Sequence, residues 1–572
     1  MTPTPVIPVA GAELPSPVVP RPAALLILAR DGEEGLEVFM LQRTGKADFV
    51  PGANVFPGGG VDAADSEPGI AAFAGELNDA TASAALGLPA GGLGYWVGAV
   101  RECFEEAGLL LAQRRDGDAL DFAQPEVAAR FAELRRALNA GRTTFAELCA
   151  AESLRLTLDR MVYFAHWITP VGMNRRYDTR FFVAPAPLGQ LASHDEAETV
   201  DSVWIRPADA LERHAQGSFS LVYATRETLQ ALSGFATVAD LMAHARGVSG
   251  IAARMPRVGT GPKGRHVVGP RDACYAELGF IDPHGHGQAL CQIVPGTAVR
   301  LAEGVWRLTA ANPSYMTGPG TNTYLLGDAE GVTVIDPGPA DPEHVRAILA
   351  HAPGPITQIL VTHTHSDHSP AAALLKAQTG ASVIGLPAPP GVQDQTFAPE
   401  YCPEDGDSIP TRAGTLQVLH TPGHASNHLC YLHPATRLLF SGDHIMQGST
   451  VVINPPDGDM RTYLASLERL LAEDIGHIAP AHGFLMDDPQ GVVRELIAHR
   501  LRREAVILRA LQTDGPATTE ALLPRVYAHI SGPLKKVAAR SLQAHLDKLE
   551  KDEKVSLQDG VWHATNAGTE GG

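Results

Sequence analysis

Hydrophobic residues are grouped along the chain in three stretches with different periodicities. In the first, from about Arg21 to Arg246, the apolar segments AALLILAR and LEVFMLQR flank the turn-like DGEEG, which predicts a β-hairpin. An apolar-rich helix is predicted around Val97–Leu111. Further strands are predicted at Met161–Ile168, Thr179–Ala184 and Val200–Ile205.

The second stretch, from about Val294 to Gly483, alternates short apolar strands with helical segments, which predicts an α/β layered fold. The third stretch follows Gln490. Its predicted elements are helices at Val492–Leu511, Thr519–Ile530 and Leu534–Glu550 and a strand pair at Lys554–His563. Three helices and a small β-wing resemble a winged helix.

Residues 246–271 separate the first two stretches and differ from both in composition. They contain six glycines, three prolines and six Lys/Arg with no Asp or Glu, which is typical of a linker. A contact with nucleic acid is the alternative. The predicted organisation is a disordered lead-in (1–20), a first domain (21–246), a linker (247–293), a second domain (294–489) and a third domain (490–572).

Overall composition and charge indicate where the protein is located and which partners are disfavoured. The net charge of −19 opposes non-specific binding to nucleic acid or anionic lipid. No apolar run approaches the ~20 residues of a membrane helix, so no membrane partner is expected. The proline-rich start lacks the basic head of a signal peptide, and the six cysteines never form CxxC. We therefore expect a cytoplasmic protein; the sequence predicts no oligomeric state.

A cluster of metal-binding residue types follows the apolar strand at 359–361. His363 and His365 are two residues apart and share a face in extended backbone, and Asp367 and His368 follow in a turn. Three more candidates come after later strands or tight turns: His424 in TPGH, Asp443 in SGDH and His482 in PAHG. Imidazole and carboxylate are ligands that Zn²⁺ or Mn²⁺ prefers.

This order of residues resembles the metallo-β-lactamase superfamily, whose signature is HxHxDH followed by His, Asp and His. The resemblance implies a four-layer αβ/βα fold and a site for two Zn (or Mn or Fe) ions. It implies that His363, His365 and His424 bind the first ion, that Asp367, His368 and His482 bind the second, and that Asp443 bridges them. Two such ions can share a hydroxide for attack on the substrate, which Asp367 would orient.

A closer resemblance covers about residues 294–565. The motifs GPGTNTYLLG (318–327), VTHTHSDHSP (361–370) and TPGHASNHLCYL (421–432), with the trailing HRLRRE (499–504), are similar to the β-lactamase-like protein 2 family. That family implies an endoribonuclease acting on single-stranded RNA. The same core resembles glyoxalase II, a thioesterase. His428 is a candidate for a general acid or for a positioning role, and Asn322 for a substrate contact or a turn.

The first domain contains a second metal-binding pattern. Residues 101–109, RECFEEAGL, place Glu102, Glu105 and Glu106 on one side of a helix, where Mg²⁺ or Mn²⁺ would offset their repulsion. With VFPGGGVD and TPVGMNRRYDTRFFVA, this stretch resembles coenzyme A diphosphatase-type Nudix enzymes, which have an α+β fold. The resemblance implies that the three glutamates bind metal, that Glu102 and Glu105 act in catalysis, and that Arg101 positions them.

Two parts of that pattern are incomplete. Forty residues separate Gly60 from Arg101, and the first glutamate of the Gx5E element cannot be placed. A later catalytic carboxylate is expected from Glu196 or Glu198.

Three functions remain open from the sequence. The first is a bifunctional hydrolase, with a Nudix pyrophosphatase for a nucleoside-diphosphate or coenzyme A-type substrate and a second half that cuts RNA. It is favoured by the twelve Lys/Arg against eight Asp/Glu in 494–554, although these helices could equally pack on the hydrolase domain. The second is thioester or ester hydrolysis by the second half. The third is a nucleotide-sensing protein that binds nucleic acid.

Overall fold

A computed structural model describes residues 18–45, 50–190, 199–528, 530–532 and 534–565. Most of the lead-in expected at 1–20, and both Glu196 and Glu198, lie outside the described residues. The described chain folds in the predicted order, with a mixed α/β first domain, a sandwich of two sheets, and a small helical domain with a β-wing.

The first domain is built on a seven-stranded mixed sheet of order β3-β2-β1-β8-β7, with β4 on β1 and β9 on β2. The predicted hairpin is confirmed as β1 and β2, which pair antiparallel. Its strands are β1 (Arg21–Gly32), β2 (Gly35–Arg43), β3 (Asn54–Val55), β4 (Gly58–Gly60), β5 (Ala112–Arg114), β6 (Leu154–Leu156), β7 (Val162–Ile168), β8 (Tyr177–Pro185) and β9 (Thr199–Ile205). Its helices are α1 (Pro68–Ala71), α2 (Asp79–Leu86), α3 (Leu93–Ala107), α4 (Pro125–Asn139), α5 (Phe145–Ala151), α6 (Pro207–Ala215), α7 (Tyr223–Leu232) and α8 (Val238–Gly247).

Helices cover both faces of this sheet. On one face α3 contributes Trp96, whose ring centroid lies 4.5 Å from that of Phe182 on β8. On the other face α7 and α8 bury Leu229 and Leu241 against β1 and β2. Burial of these apolar side chains is the main stabilising contribution to the domain.

The segment predicted as a linker contains regular structure. After α8 the chain forms a hairpin of β10 (Arg257–Gly261) and β11 (Gly264–Val268) and then α9 (Tyr275–Ile281). On α9, Glu277 is fully buried and makes a two-pronged ion pair with Arg307 of the second domain. An ion pair this deeply buried fixes relative position, because separating the partners would leave an uncompensated charge.

The second domain is a sandwich with helices outside each sheet, which confirms the four-layer arrangement. Its first sheet contains, in order, β12 (Ala298–Ala302), β13 (Val305–Thr309), β14 (Asn322–Asp328), β15 (Gly331–Ile335), β16 (Ile356–Leu360) and β17 (Ser382–Ile384). The second sheet contains β18 (Ser408–Thr411), β19 (Gly414–His420), β20 (Leu429–His433), β21 (Leu438–Gly442) and β22 (His477–Pro480). Helices α10 (Pro342–His351) and α11 (Ala371–Thr379) cover the first sheet, and α12 (Met460–Leu470) covers the second.

The third domain has the predicted three helices and strand pair. They are α13 (Pro489–Thr513), α14 (Thr519–Val526), α15 (Leu534–Lys551), β23 (Val555–Gln558) and β24 (Val561–Ala564). Several of its basic side chains form ion pairs: Lys548 lies 2.8 Å from Glu504, and Lys551 pairs with Asp459 of the second domain. The second of these contacts supports packing of this domain against the hydrolase domain. Within the described residues, no helix has the length and apolar character needed to cross a bilayer.

Candidate metal centres

The seven ligand-type residues of the second domain come together at one edge of the sandwich. His363, His365, Asp367 and His368 follow β16, while His424, Asp443 and His482 follow β19, β21 and β22. Because β21 and β22 are parallel, with Gly442 opposite Pro480, their carboxyl ends deliver Asp443 and His482 side by side. Strand ends are where layered α/β folds present polar groups to a cleft.

The side chains form two groups in which the ligand atoms lie within 4.8 Å of one another. The first group is His363, His365, His424 and Asp443, and the second is Asp367, His368 and His482. Asp443 faces both groups: its Oδ2 lies 3.6 Å from Nε2 of His424, and its Oδ1 lies 3.1 Å from Nε2 of His482. This division matches the one that the resemblance implied.

The chemistry of these atoms fits divalent ions. Among the described residues, Nε2 of His368 is buried without a hydrogen-bond partner, a costly arrangement unless a cation binds it. Burial lowers the pKa of His363, and burial together with the neighbouring His424 lowers the pKa of His365 to about 3. Both rings are therefore neutral at pH 7, the form in which imidazole binds metal.

Neighbouring groups fix the orientation of the rings. Asp336 is buried immediately after β15, where its Oδ2 lies 2.9 Å from Nδ1 of His368 and accepts a 2.8 Å hydrogen bond from Oγ1 of Thr362. Nδ1 of His424 lies 2.7 Å from the carbonyl oxygen of Val452, and Oγ1 of Thr321 donates to Asp367 at 3.0 Å. Such partners hold the tautomer and direction of metal-binding side chains.

Asp336 was not predicted as a site residue, although it is the aspartate of TVIDPG (333–338) and directly follows an apolar strand. It has a φ of 51°, a left-handed conformation that is uncommon for a residue other than glycine. Because β15 runs parallel to β16, with Ile335 opposite Leu360, this carboxylate lies beside the HxHxDH segment. A strand-end carboxylate beside the strand that carries the histidines was the available signal.

Replacing Asp336 with asparagine is expected to weaken metal binding about 10- to 100-fold, since His368 loses its charged partner. The measurement is a competition titration against a chelator. Asp341→Asn is a matched control, because Asp341 caps α10 through its side chain and asparagine caps helices equally well. Unchanged affinity in Asp336→Asn would contradict the orienting role.

The two secondary candidates occupy enclosed positions. His428 is fully buried; its Nδ1 lies 3.0 Å from Oγ1 of Thr421, and its Nε2 accepts a 3.2 Å hydrogen bond from the backbone N–H of Asp443. Both nitrogens are engaged, which favours the positioning role over the general-acid role. Asn322 is also fully buried and donates to the carbonyl oxygens of Pro480 and Gly483, both at 2.9 Å. It thereby supports the turn that carries His482.

In the first domain, Glu102, Glu105 and Glu106 lie on α3, but they do not form a tight ligand cluster. Nη1 of Arg101 donates to Glu102 at 3.0 Å and to Glu105 at 2.9 Å, while Oε2 of Glu106 accepts a 2.9 Å hydrogen bond from the backbone of Gly58. Burial raises the pKa of Glu102 to about 7, partly offset by Arg101. Oxygen ligands in such a partly buried place suit Mg²⁺ or Mn²⁺.

A further carboxylate completes this arrangement. Asp65 is buried and binds Arg101 with both oxygens, each at 2.9 Å from a guanidinium nitrogen. It stands six residues after Gly59, which is the spacing of Gx5E with aspartate in place of glutamate. The Nudix pattern has a glutamate at this position, and the residues inserted between Asp65 and Arg101 place the two partners far apart in the sequence.

Comparisons with known proteins agree with this geometry. Family models match residues 70–222 as a NUDT19 Nudix domain, 316–482 as the metallo-beta-lactamase superfamily and 518–562 as a beta-lactamase associated winged helix domain. A beta-lactamase-like protein 2 homolog of Drosophila melanogaster is 33% identical over 275 residues, which are 45% of this chain and 91% of that protein. The chain belongs to the β-lactamase-like protein 2 family.

Another relative of the chain is named for the reaction that it catalyses. An atrochrysone carboxyl ACP thioesterase of Cryptosporiopsis sp. (strain 8999) is 26% identical over 274 residues, 44% of this chain and 82% of that protein. Among solved structures, a NUDIX hydrolase of Alicyclobacillus acidocaldarius is 26% identical with a TM-score of 0.32, covering 39% of this chain and 96% of that one. With both a Nudix and a metallo-β-lactamase domain, this family member is a metal-dependent hydrolase.

Proposed function

We propose that the second domain is a dinuclear metallohydrolase. The observation that carries the proposal is the placement of Asp443 between two groups of three ligands, with one carboxylate oxygen toward each. His363, His365 and His424 would hold one ion, and Asp367, His368 and His482 the other. Two zinc, manganese or iron ions held there would lower the pKa of water and polarise the scissile group.

The protein's own residues supply orientation and charge. Asp367 is held from one side by Thr321, and its Oδ2 lies 3.4 Å from Nε2 of both His368 and His482. Its carboxylate is therefore directed into the site, where it can accept a hydrogen bond from the attacking water. The imidazole of His428 accepts a hydrogen bond from the backbone N–H of Asp443 and so holds that backbone in place. We assign Asp367 as the catalytic orienting group and His428 as a positioning residue.

We propose that the substrate of the second domain is a thioester. A relative that covers 44% of this chain carries the name of a thioesterase, and the motifs of the first domain resemble those of coenzyme A diphosphatase-type Nudix enzymes. The basic side chains of the third domain that would have favoured nucleic acid are partly used in ion pairs, as in Lys548–Glu504 and Lys551–Asp459.

Single-stranded RNA is the second candidate. It is favoured by the resemblance to β-lactamase-like protein 2 and by three exposed basic residues near the start of α15: Lys535, Lys536 and Arg540. Lys536 and Arg540 are four residues apart and so share one face of the helix. Such a face can contact a phosphate backbone, although charge alone is weak evidence.

For the first domain we propose a Nudix pyrophosphatase that uses Mg²⁺ or Mn²⁺. Glu102, Glu105 and Glu106 would bind the ion, and Arg101 together with Asp65 would position the glutamates. Glu102 and Glu106 line the cleft of this domain, together with the backbone of Gly58–Gly60.

The deciding experiment assays the full chain on an acyl-coenzyme A thioester and on single-stranded RNA, beside Asp367→Ala and Glu105→Gln. Thioester hydrolysis that is lost in Asp367→Ala and kept in Glu105→Gln would support the thioesterase proposal. RNA cleavage with the same dependence would replace it with the ribonuclease. Full turnover of either substrate by Asp367→Ala would overturn the role of the second-domain site.

A further inference from the structure

The first domain contains a cleft of about 1060 Å³, at the upper end of the range for clefts that bind small molecules. The carboxylates of Glu102 and Glu106 lie in it beside Gly58–Gly60. Its floor is one face of the sheet, because Ala23, Thr179 and Trp167 line it from three neighbouring strands. The cleft therefore extends across the strands, away from the glutamates.

The pairing of the strands gives the length of this floor. Gly60 is opposite Ala23, Ala23 is opposite Thr179, Thr179 is opposite Trp167, and Trp167 forms a bridge with Arg254 of the interdomain segment. Four inter-strand spacings of about 4.8 Å correspond to about 19 Å. Arg254, at the start of the segment that carries the β10–β11 hairpin, thus stands about 19 Å from Gly60.

Residues of that segment form the wall of the cleft. Val258 and Val267 are opposite each other in the β10–β11 hairpin, so both side chains point to the same face, and both line the cleft together with Pro256 and His266. Val267 is 38% exposed. Ligand clefts are lined mainly by apolar side chains, and this partly exposed valine is accessible to a ligand in the cleft.

The wall is held firmly on both sides. The backbone N–H of Arg254 donates to the carbonyl oxygen of His166 at 3.0 Å, and the backbone N–H of Ile168 donates to the carbonyl oxygen of Arg254 at 2.9 Å. Beyond the hairpin, the backbones of Gly172 and Gly285 approach so closely that a Cβ at Gly172 would lie 2.0 Å from the Gly285 carbonyl oxygen. The hairpin is therefore part of the domain's binding surface rather than a tether that passes it.

We propose that the β10–β11 hairpin is the specificity-determining wall of the Nudix cleft. The substrate it selects is a nucleoside diphosphate joined to an extended arm, whose uncharged far end contacts Val258 and Val267 on the wall of the cleft. The inference rests on the proposed Nudix function for the reaction itself. The segment between the two hydrolase domains thereby acquires a role in substrate choice.

The test compares coenzyme A, which has a long arm, with ADP-ribose, which has a short one, on the full-length protein. Val267→Asp places a charge on the wall at a partly exposed position, and Lys263→Ala in the exposed turn of the same hairpin is the matched control. We expect Val267→Asp to raise KM for coenzyme A about tenfold at unchanged kcat, with KM for ADP-ribose within twofold of wild type. Lys263→Ala should change neither.

Binding of coenzyme A, measured by calorimetry, separates the two proposals. Equal KM values for wild type and Val267→Asp with coenzyme A would overturn the specificity wall while leaving the Nudix activity intact. If the wild type binds coenzyme A without hydrolysing it, and Val267→Asp weakens binding tenfold, the wall is supported and the Nudix activity is overturned. A wild type that binds neither probe would overturn the wall. A melting temperature within about 2 °C of wild type verifies that Val267→Asp is folded.

Discussion

Asp443→Ala is expected to lose both metal ions and about 10³-fold or more of the second-domain activity. The carboxylate of Asp443 faces both ligand clusters, with Oδ1 3.1 Å from Nε2 of His482 and Oδ2 3.6 Å from Nε2 of His424. Metal ions contribute several kcal/mol of transition-state stabilisation, and about 4 kcal/mol corresponds to 10³-fold in rate. The buried histidines would then lack the charge that balances bound cations.

The two measurements are metal content by elemental analysis and turnover of whichever substrate the protein hydrolyses, the thioester or single-stranded RNA. Asp474→Ala is the matched control, since Asp474 is exposed and pairs with Arg437 at the surface, a contact of little energetic weight. Full metal occupancy in Asp443→Ala would rule out a bridging role, even if activity fell for another reason.

Glu102→Gln is expected to lower Nudix hydrolysis about 10²- to 10⁴-fold, the range for removal of a catalytic acid or base, while the second-domain activity is unchanged. Glu102 lines the cleft, and a Cβ at Gly59 would lie only 2.6 Å from its carboxyl group, so the side chain is confined. Glutamine keeps the size and the hydrogen bond to Arg101 but removes the charge that a cation needs.

Hydrolysis of coenzyme A with a magnesium titration measures this effect. Glu133→Gln, on the exposed face of α4, is the control at 53% side-chain exposure. Undiminished turnover in Glu102→Gln would mean that the glutamate cluster is not the catalytic centre of the first domain.

The candidate ligands of the second domain could be predicted because each one directly follows an apolar strand. The strand at 356–360 and the motif THTHSDH are adjacent in sequence, and the parallel order of β21 and β22 then brings Asp443 to His482. Local periodicity and residue type indicated the candidates, while their division into two groups was implied by the resemblance to the metallo-β-lactamase superfamily. The hairpin of β1 and β2 could also be predicted from local sequence, because turn residues separate its two apolar segments.

Features that depend on pairing between distant residues could not be predicted in this way. Asp336 orients His368 across 32 positions, and Asp65 binds Arg101 across 36. The interdomain segment was expected to be a tether because glycine, proline and basic residues dominate it. Its structure depends on the buried pair of Glu277 and Arg307, which are 30 residues apart and outside the glycine-rich stretch. Composition describes local chain preference and carries no information on such partners.

Anomalous diffraction from crystals of the full chain, recorded at the absorption edge of the bound metal, would show how many metal ions the second domain binds. We expect two peaks in this domain, one among His363, His365 and His424 and one among Asp367, His368 and His482, with Asp443 between them. A single peak at full occupancy, or two peaks without contact to Asp443, would contradict the proposed two-metal site.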